Sequence, residues 1–147
     1  MSPARIDPYL AGNFLVTIDG VSTTHCSEVS GLEAAIDVVD YRAGDSKENS
    51  AVKLAGLRRF SNVTLRRGLT SDASLWTWFN NVLSGAMNRT SATIQLLDAQ
   101  DNPLWSWNLI NAWPCRWAGP SLVANSSEVA METVEICYES LQANPPQ

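Results

Sequence analysis

Residues 13–19 read NFLVTID, in which Phe14, Val16 and Ile18 alternate with Asn13, Leu15, Thr17 and Asp19, and Gly20 follows at once. A period of two sends one set of side chains to the buried face of a sheet, and an Asp-Gly pair favours the positive backbone angles of a tight hairpin. A strand that turns back immediately pairs antiparallel, so residues 21–29 are expected to return beside it. This start rules against a parallel sheet built from crossover helices.

The rest of the chain continues in the same way. Residues 33–41 (EAAIDVVDY) put Ile36 and Val38 on one face and Glu33 and Asp37 on the other. Residues 62–67 turn Val63 and Leu65 inward and Thr64 and Arg66 outward before Gly68 ends the strand. Residues 91–98 and 104–112 form a hairpin across a turn-rich connector, with Trp105, Trp107 and Leu109 sharing a face. Residues 128–139 form a last long strand of imperfect pattern: Val129 and Met131 have one parity, Val134, Ile136 and Tyr138 the other. Either a bulge near Thr133 or cover on both faces accounts for that. Residues 42–56 are polar and aperiodic and read as a long loop, and residues 142–147 as a frayed tail.

One helix is expected within residues 71–85 (SDASLWTWFNNVLSG). Ser71 is a suitable N-cap, Asp72 suits the positive end of the dipole, and Gly85 suits a left-handed C-cap. Leu75, Trp76, Phe79, Val82 and Leu83 fall at helical spacing and form its apolar face, packed as a lid on the sheet. About seven strands around one helix, without a βαβ rhythm, give a mainly β fold: a small antiparallel β-barrel, sandwich-like, with one flanking α-helix.

A chain of 147 residues suits one domain spanning 1–147, and 45% apolar against 17% charged residues leaves room for surface covered by partners. The net charge of −5 argues against affinity for nucleic acid, which needs a basic face to displace counterions. Neither a run of about 18 apolar residues nor a basic-then-apolar leader is visible, so synthesis in a cytoplasm without stable membrane binding is expected.

Catalytic patterns are lacking. His25, the single histidine, neighbours Cys26 on a strand, where adjacent side chains point to opposite faces. Cys26, Cys115 and Cys137 are odd in number and widely spaced, which suits free thiols better than a disulfide framework or zinc site. No phosphate-binding glycine loop or nucleophile elbow occurs. No catalytic residue, cofactor or metal is therefore expected. The basic residues Arg58, Arg59, Arg66 and Arg67 form either a solvated face or a surface meeting Glu33, Asp37, Asp40, Asp45 and Glu48 of a neighbouring copy in a head-to-tail contact. The segment 111–122 (NAWPCRWAGPSL) combines Trp113, Pro114, Arg116, Trp117 and Pro120, and reads as a corner and interface edge.

Six blocks in order, DPYLAGNFLVTIDG, CSEVSGLEAAIDVVDYRAG, KLAGLRRFSNVTLRRGLT, LWTWFNNVLSG, LLDAQDNPLWSWNLINAWPCRWAGPSL and NSSEVAMETVEICYESL, closely resemble the tail-tube proteins of contractile phages and the inner-tube proteins of related contractile injection systems. The resemblance spans residues 7–141. It implies a structural, non-enzymatic subunit that assembles as a homohexamer; the rings stack into a tube inside a sheath, with sheath, baseplate or tube-initiator and tube-terminator proteins as partners. DNA or protein cargo passes down the bore without specific binding, and the final location is a phage virion or phage-tail-like injection particle. Residues 41–56 match the extended loop that reaches another subunit. With the charge pattern, the expected subunit contacts are Glu33, Asp37, Tyr41, Arg42, Asp45, Lys47, Glu48, Lys53, Arg58, Arg59, Arg66, Arg67, Trp113, Arg116 and Trp117. The cysteines and His25 match no functional motif of that family. The competing expectation is a monomeric barrel that binds a small ligand among Trp105, Trp107, Trp113 and Trp117.

Overall fold

A computed structural model describes residues 7–42, 44 and 51–147. In chain order the elements are β1 (Phe14–Ile18), β2 (Ser22–Thr24), β3 (Glu28–Ser30), β4 (Ala34–Tyr41), β5 (Val52–Phe60), β6 (Val63–Gly68), α1 (Ser74–Leu83), β7 (Thr90–Leu97), β8 (Pro103–Ala118), β9 (Met131–Cys137) and β10 (Ser140–Asn144). The fold is mainly antiparallel β with one helix, as the alternation requires.

The first hairpin forms as expected: Gly20 takes a φ of 75°, and the Val21 amide donates to the Ile18 carbonyl at 3.0 Å. The return strand is short, however. β2 pairs with β1, after which the chain leaves and β3 pairs with β6 instead. The larger sheet runs β2-β1-β7-β8-β9-β6-β3, with β10 also on β8. No ladder joins β2 to β3 at its ends, so the expected barrel is an open, sandwich-like sheet that is not closed by hydrogen bonds.

β8 makes the fold possible. Its first half pairs with β7 and β10, its second half with β9. The change falls at Asn111, whose φ of 55° lies in the left-handed region that asparagine tolerates better than most residues. Opposite it the chain passes from β9 to β10: the Glu139 amide donates to the Ile110 carbonyl at 2.9 Å, and Asn111 Nδ2 donates to Glu139 Oε2 at 2.8 Å. The parity change falls where β9 begins: Val129 precedes the strand and is exposed, whereas β9 buries Glu132, Val134 and Ile136 in unbroken register with β6, so no bulge lies at Thr133. Residues 142–144, expected to fray, belong to β10 and pair with Ser106, Trp107 and Asn108.

The two halves of the sheet close on one core containing Val16, Ile18, Ala92, Ile94, Leu109 and Ala112 from one side and Val63, Leu65, Val134 and Ile136 from the other. Burying each of the larger aliphatic side chains contributes about 1.5–3 kcal/mol relative to exposure. Helix α1 adds Leu75 and Trp78. The expected apolar face is rotated: Trp78 replaces Trp76 in the core, Leu83 is exposed, and Trp76 sets its ring edgewise against Trp117 at 4.9 Å. The helix also starts later than Ser71. Asp72 takes over as local acceptor, its Oδ1 receiving the Ser74 amide at 3.0 Å.

Candidate functional site

The hairpin β4–β5 stands apart from this core as a separate two-stranded sheet. Part of the expected loop 41–56 is therefore strand: Tyr41 ends β4 and residues 52–56 begin β5. The polar composition of residues 44–50 concealed the return strand, because nothing in that stretch alternates. Asp45, Lys47 and Glu48 lie outside the described residues.

Its register places Tyr41 opposite Val52 and Val39 opposite Leu54 on one face, and Val38 opposite Ala55 on the other. Large apolar side chains are therefore presented on both faces, with Val38 63%, Val52 58% and Leu57 73% exposed. An isolated two-stranded hairpin is marginally stable in water, and contiguous exposed apolar surface marks a site of association. A register shift lies between Ile36 and Val38, and Gly56 fits there because a Cβ would come within 3.0 Å of the Asp37 carbonyl. At the base, the Ser61 amide donates to the Glu33 carbonyl at 3.2 Å, and Phe60 rests near Tyr138 with ring centroids 6.0 Å apart.

Charges decorate this hairpin in pairs. Arg59 Nε donates to Asp37 Oδ1 at 2.7 Å and Lys53 Nζ to Asp40 Oδ1 at 3.0 Å. The hydrogen bond from Arg59 holds the Asp37 carboxyl below its ordinary range. Acids and bases expected to meet between copies are thus already matched within one chain at these two positions. Arg58 lies opposite Ile36, while Glu33 and Arg42 are exposed beside the hairpin.

Arg67 departs furthest from expectation. It is 6% exposed and belongs to no surface cluster. The alternation of Val63 and Leu65 carries on through Arg67, so β6 turns its guanidinium inward. There Nε donates to Glu132 Oε1 at 2.6 Å, Nη1 to Thr24 Oγ1 and Asp72 Oδ2 at 3.2 Å each, and Nη2 to the Asp72 carbonyl at 3.0 Å. Glu132, 2% exposed, occupies the matching inward position on β9. This clamp ties β2, β6 and β9 to the start of α1. Its signal in the sequence is parity: an arginine and a glutamate each standing two residues from buried aliphatics. Arg66, with the opposite parity, is exposed and lies 3.7 Å from Glu28.

In the segment 111–122, Trp113 and Trp117 are half-buried, Arg116 is exposed and Pro114 is buried. Leu122 at its end, and Val123 and Val129 beyond it, are exposed around a groove of about 650 Å³ that Arg66 and Met131 also line. Among the four tryptophans named for a cage, a ring contact joins Trp105 to Trp107 alone. Trp105 stacks on Trp107 with centroids 6.2 Å apart, whereas Trp117 meets Trp76. Among the described residues no group of three or more His, Cys, Asp or Glu side chains is placed to hold a metal ion, and no helix is long and apolar enough to cross a membrane.

An exposed two-faced hairpin beside a packed sandwich is a geometry for assembly, and solved structures share the overall fold. A chain in the PVC sheath-tube complex of an extracellular contractile injection system superposes with a TM-score of 0.84 at 26% identity, covering 94% of this chain and 92% of that one. A chain in the tube-terminating cap of the anti-feeding prophage gives 0.87 at 25% identity, covering 99% and 96%. Hcp1 from Flavobacterium johnsoniae, at 13% identity and a TM-score of 0.56, shares the fold over 90% of this chain and 94% of its own. No curated protein sequence matches the chain significantly. The profile of the family described as T4-like virus tail tube protein gp19 matches residues 10–142, and this chain therefore belongs to that family of structural tail-tube subunits.

Proposed function

We propose that the protein is the self-assembling inner-tube subunit of a contractile tail or injection system, forming hexameric rings that stack into a channel for DNA or protein cargo. The observation that carries this reading is the β4–β5 hairpin, whose apolar side chains on both faces stay exposed among the described residues. Burying them between copies turns an unstable projection into the main contact between subunits. Tyr41, Lys53, Arg58 and Arg59 act there, and Asp45, Lys47 and Glu48 are further contacts proposed from the sequence; Trp113, Arg116 and Trp117 form a second edge. A net charge of −5 suits a wall along which a polyanion slides without sticking.

Sheath, baseplate and terminator proteins are the partners of such a tube, and its action is mechanical: contraction of the sheath drives the tube through a target envelope. The subunit has no enzymatic role, is made in a bacterial cytoplasm, and ends in a virion or injection particle. Electron microscopy of the purified protein tests the proposal. Rings or stacked tubes are expected; a strictly monomeric species at high concentration would overturn it. Deleting residues 46–51 is expected to leave the sandwich folded and to weaken stacking.

A further inference from the structure

We propose that Cys115 and Cys137 form an oxidisable dithiol, a modification site at which a low-molecular-weight disulfide converts the two thiols into an intrachain disulfide between β8 and β9. The pair is assembled by the fold, since 22 positions separate the residues in sequence. Trp113 stands opposite Cys137 and Pro114 opposite Ile136, after which the register shifts so that Arg116 faces Glu135. Cys115 is the extra residue of that bulge. In a regular antiparallel ladder residues 115 and 137 would be diagonal neighbours, farther apart than the Cβ separation of about 3.5–4.5 Å that a disulfide needs. The bulge releases Cys115 from that spacing.

The thiols are oriented toward each other's strands. Cys115 Sγ donates to the Glu135 carbonyl at 3.4 Å, and Cys137 Sγ to the Trp113 carbonyl at 3.7 Å. Each thiol is near enough to shift the other's titration, Cys137 lowering Cys115 and Cys115 raising Cys137. Both are half-buried, so a small reagent can reach them. Around them stand Glu135, Arg116, Arg89 and the Asn62 amide, with Arg89 lying 3.7 Å from Glu139. Burial pushes both thiols up, Cys137 to about 11, so the reactive thiolate is scarce near neutrality and the exchange is slow. Cys26 offers no comparable pair: it is raised to about 11 by burial and faces Arg67 and Glu132 rather than a second thiol.

With oxidised glutathione the step balances as two exchanges. One cysteine thiolate attacks a glutathione sulfur, the reagent's S–S bond breaks, and a glutathione thiolate leaves a mixed disulfide on the protein. The neighbouring thiol then loses its proton, and its thiolate displaces the second glutathione from the protein sulfur. The protein gives up two electrons and two protons, and one glutathione disulfide becomes two glutathione thiols.

The test uses the full chain, folded, with oxidised glutathione as the probe, followed by alkylation and non-reducing peptide mass analysis. Free thiols are expected to fall from three to one, with a peptide linking Cys115 to Cys137 that is two hydrogens lighter and separates on reduction. The rate is expected to rise about tenfold per pH unit below the thiol pKa values. Cys26→Ser should leave the linkage intact, and Cys137→Ser should stop at a glutathione adduct on Cys115. Lasting adducts on both cysteines, a linkage through Cys26, or three thiols persisting in the unmutated chain would overturn the proposal. The decisive measurement needs no variant and does not depend on the state of assembly.

Discussion

The sandwich and the β4–β5 hairpin are built from the same material, antiparallel strands rich in Val, Leu and Ile, and they differ in where those side chains go. In β6 and β9 every second residue from Val63 to Arg67 and from Glu132 to Ile136 is buried. In β4 and β5 not one residue is. Strand formation is therefore a poor guide to which part of this protein is stable alone. The buried core belongs to the sandwich with its helix, and the hairpin is an arm outside it.

The sharpest way to break this contrast is at the clamp. Glu132→Ala leaves the Arg67 guanidinium buried without its main partner and is expected to cost about 3–5 kcal/mol in urea unfolding, whereas the paired replacement Arg67→Met with Glu132→Leu should recover most of the loss. If Glu132→Ala cost no more than an average surface substitution, the clamp would not be a structural element. Next in size, Leu65→Ala in the core is expected to cost about 2–5 kcal/mol. Leu54→Ser on the hairpin should change monomer stability by less than about 0.5 kcal/mol yet reduce tube length and yield in negative-stain images. A Leu54→Ser protein that unfolds like Leu65→Ala would erase the distinction between the two regions.

A smaller effect is expected in acid. Asp72 sits below the ordinary carboxylate range because of its hydrogen bonds from Ser74, and Asp98 does so through the Asn102 amide. A carboxyl depressed in the folded state adds stability that is fully present above the unfolded value of about 3.9 and is lost as pH falls through the folded value. The midpoint of urea unfolding should therefore drop below about pH 4, and Asp72→Asn should flatten that drop. Smallest of all, Lys53→Gln removes an exposed pair to Asp40 and should shift stability within the noise of a denaturant titration.

Much of this architecture was legible as periodicity. Phe14, Val16 and Ile18, then Val63 and Leu65, announced their faces because one side of each strand is wet and the other dry. The helix was found but turned, since Trp76 and Trp78 are equally apolar and only the tertiary contact with Trp117 decides which of them is drawn out of the core. β5 was hidden because apolar and charged residues mix on both of its faces and its approach is polar, so no alternation marks it. Arg67 and Glu132 were misplaced because charge is read as surface, although their parity says otherwise. β10 was unreadable: Gln142, Ala143 and Asn144 have no preference for a sheet and are held there by the free edge that β8 offers.

That edge is part of a longer consequence. Because β8 runs 16 residues without a break and serves both halves of the sheet, a pull along it is carried by backbone and by ladder bonds to β7, β10 and β9 at once. Bonds loaded side by side in this way share the force and fail together, unlike a hairpin peeled open from its end. The bend at Asn111 lets one strand act as a spar through the whole subunit, so a thrust applied to either half reaches the other without crossing a loop.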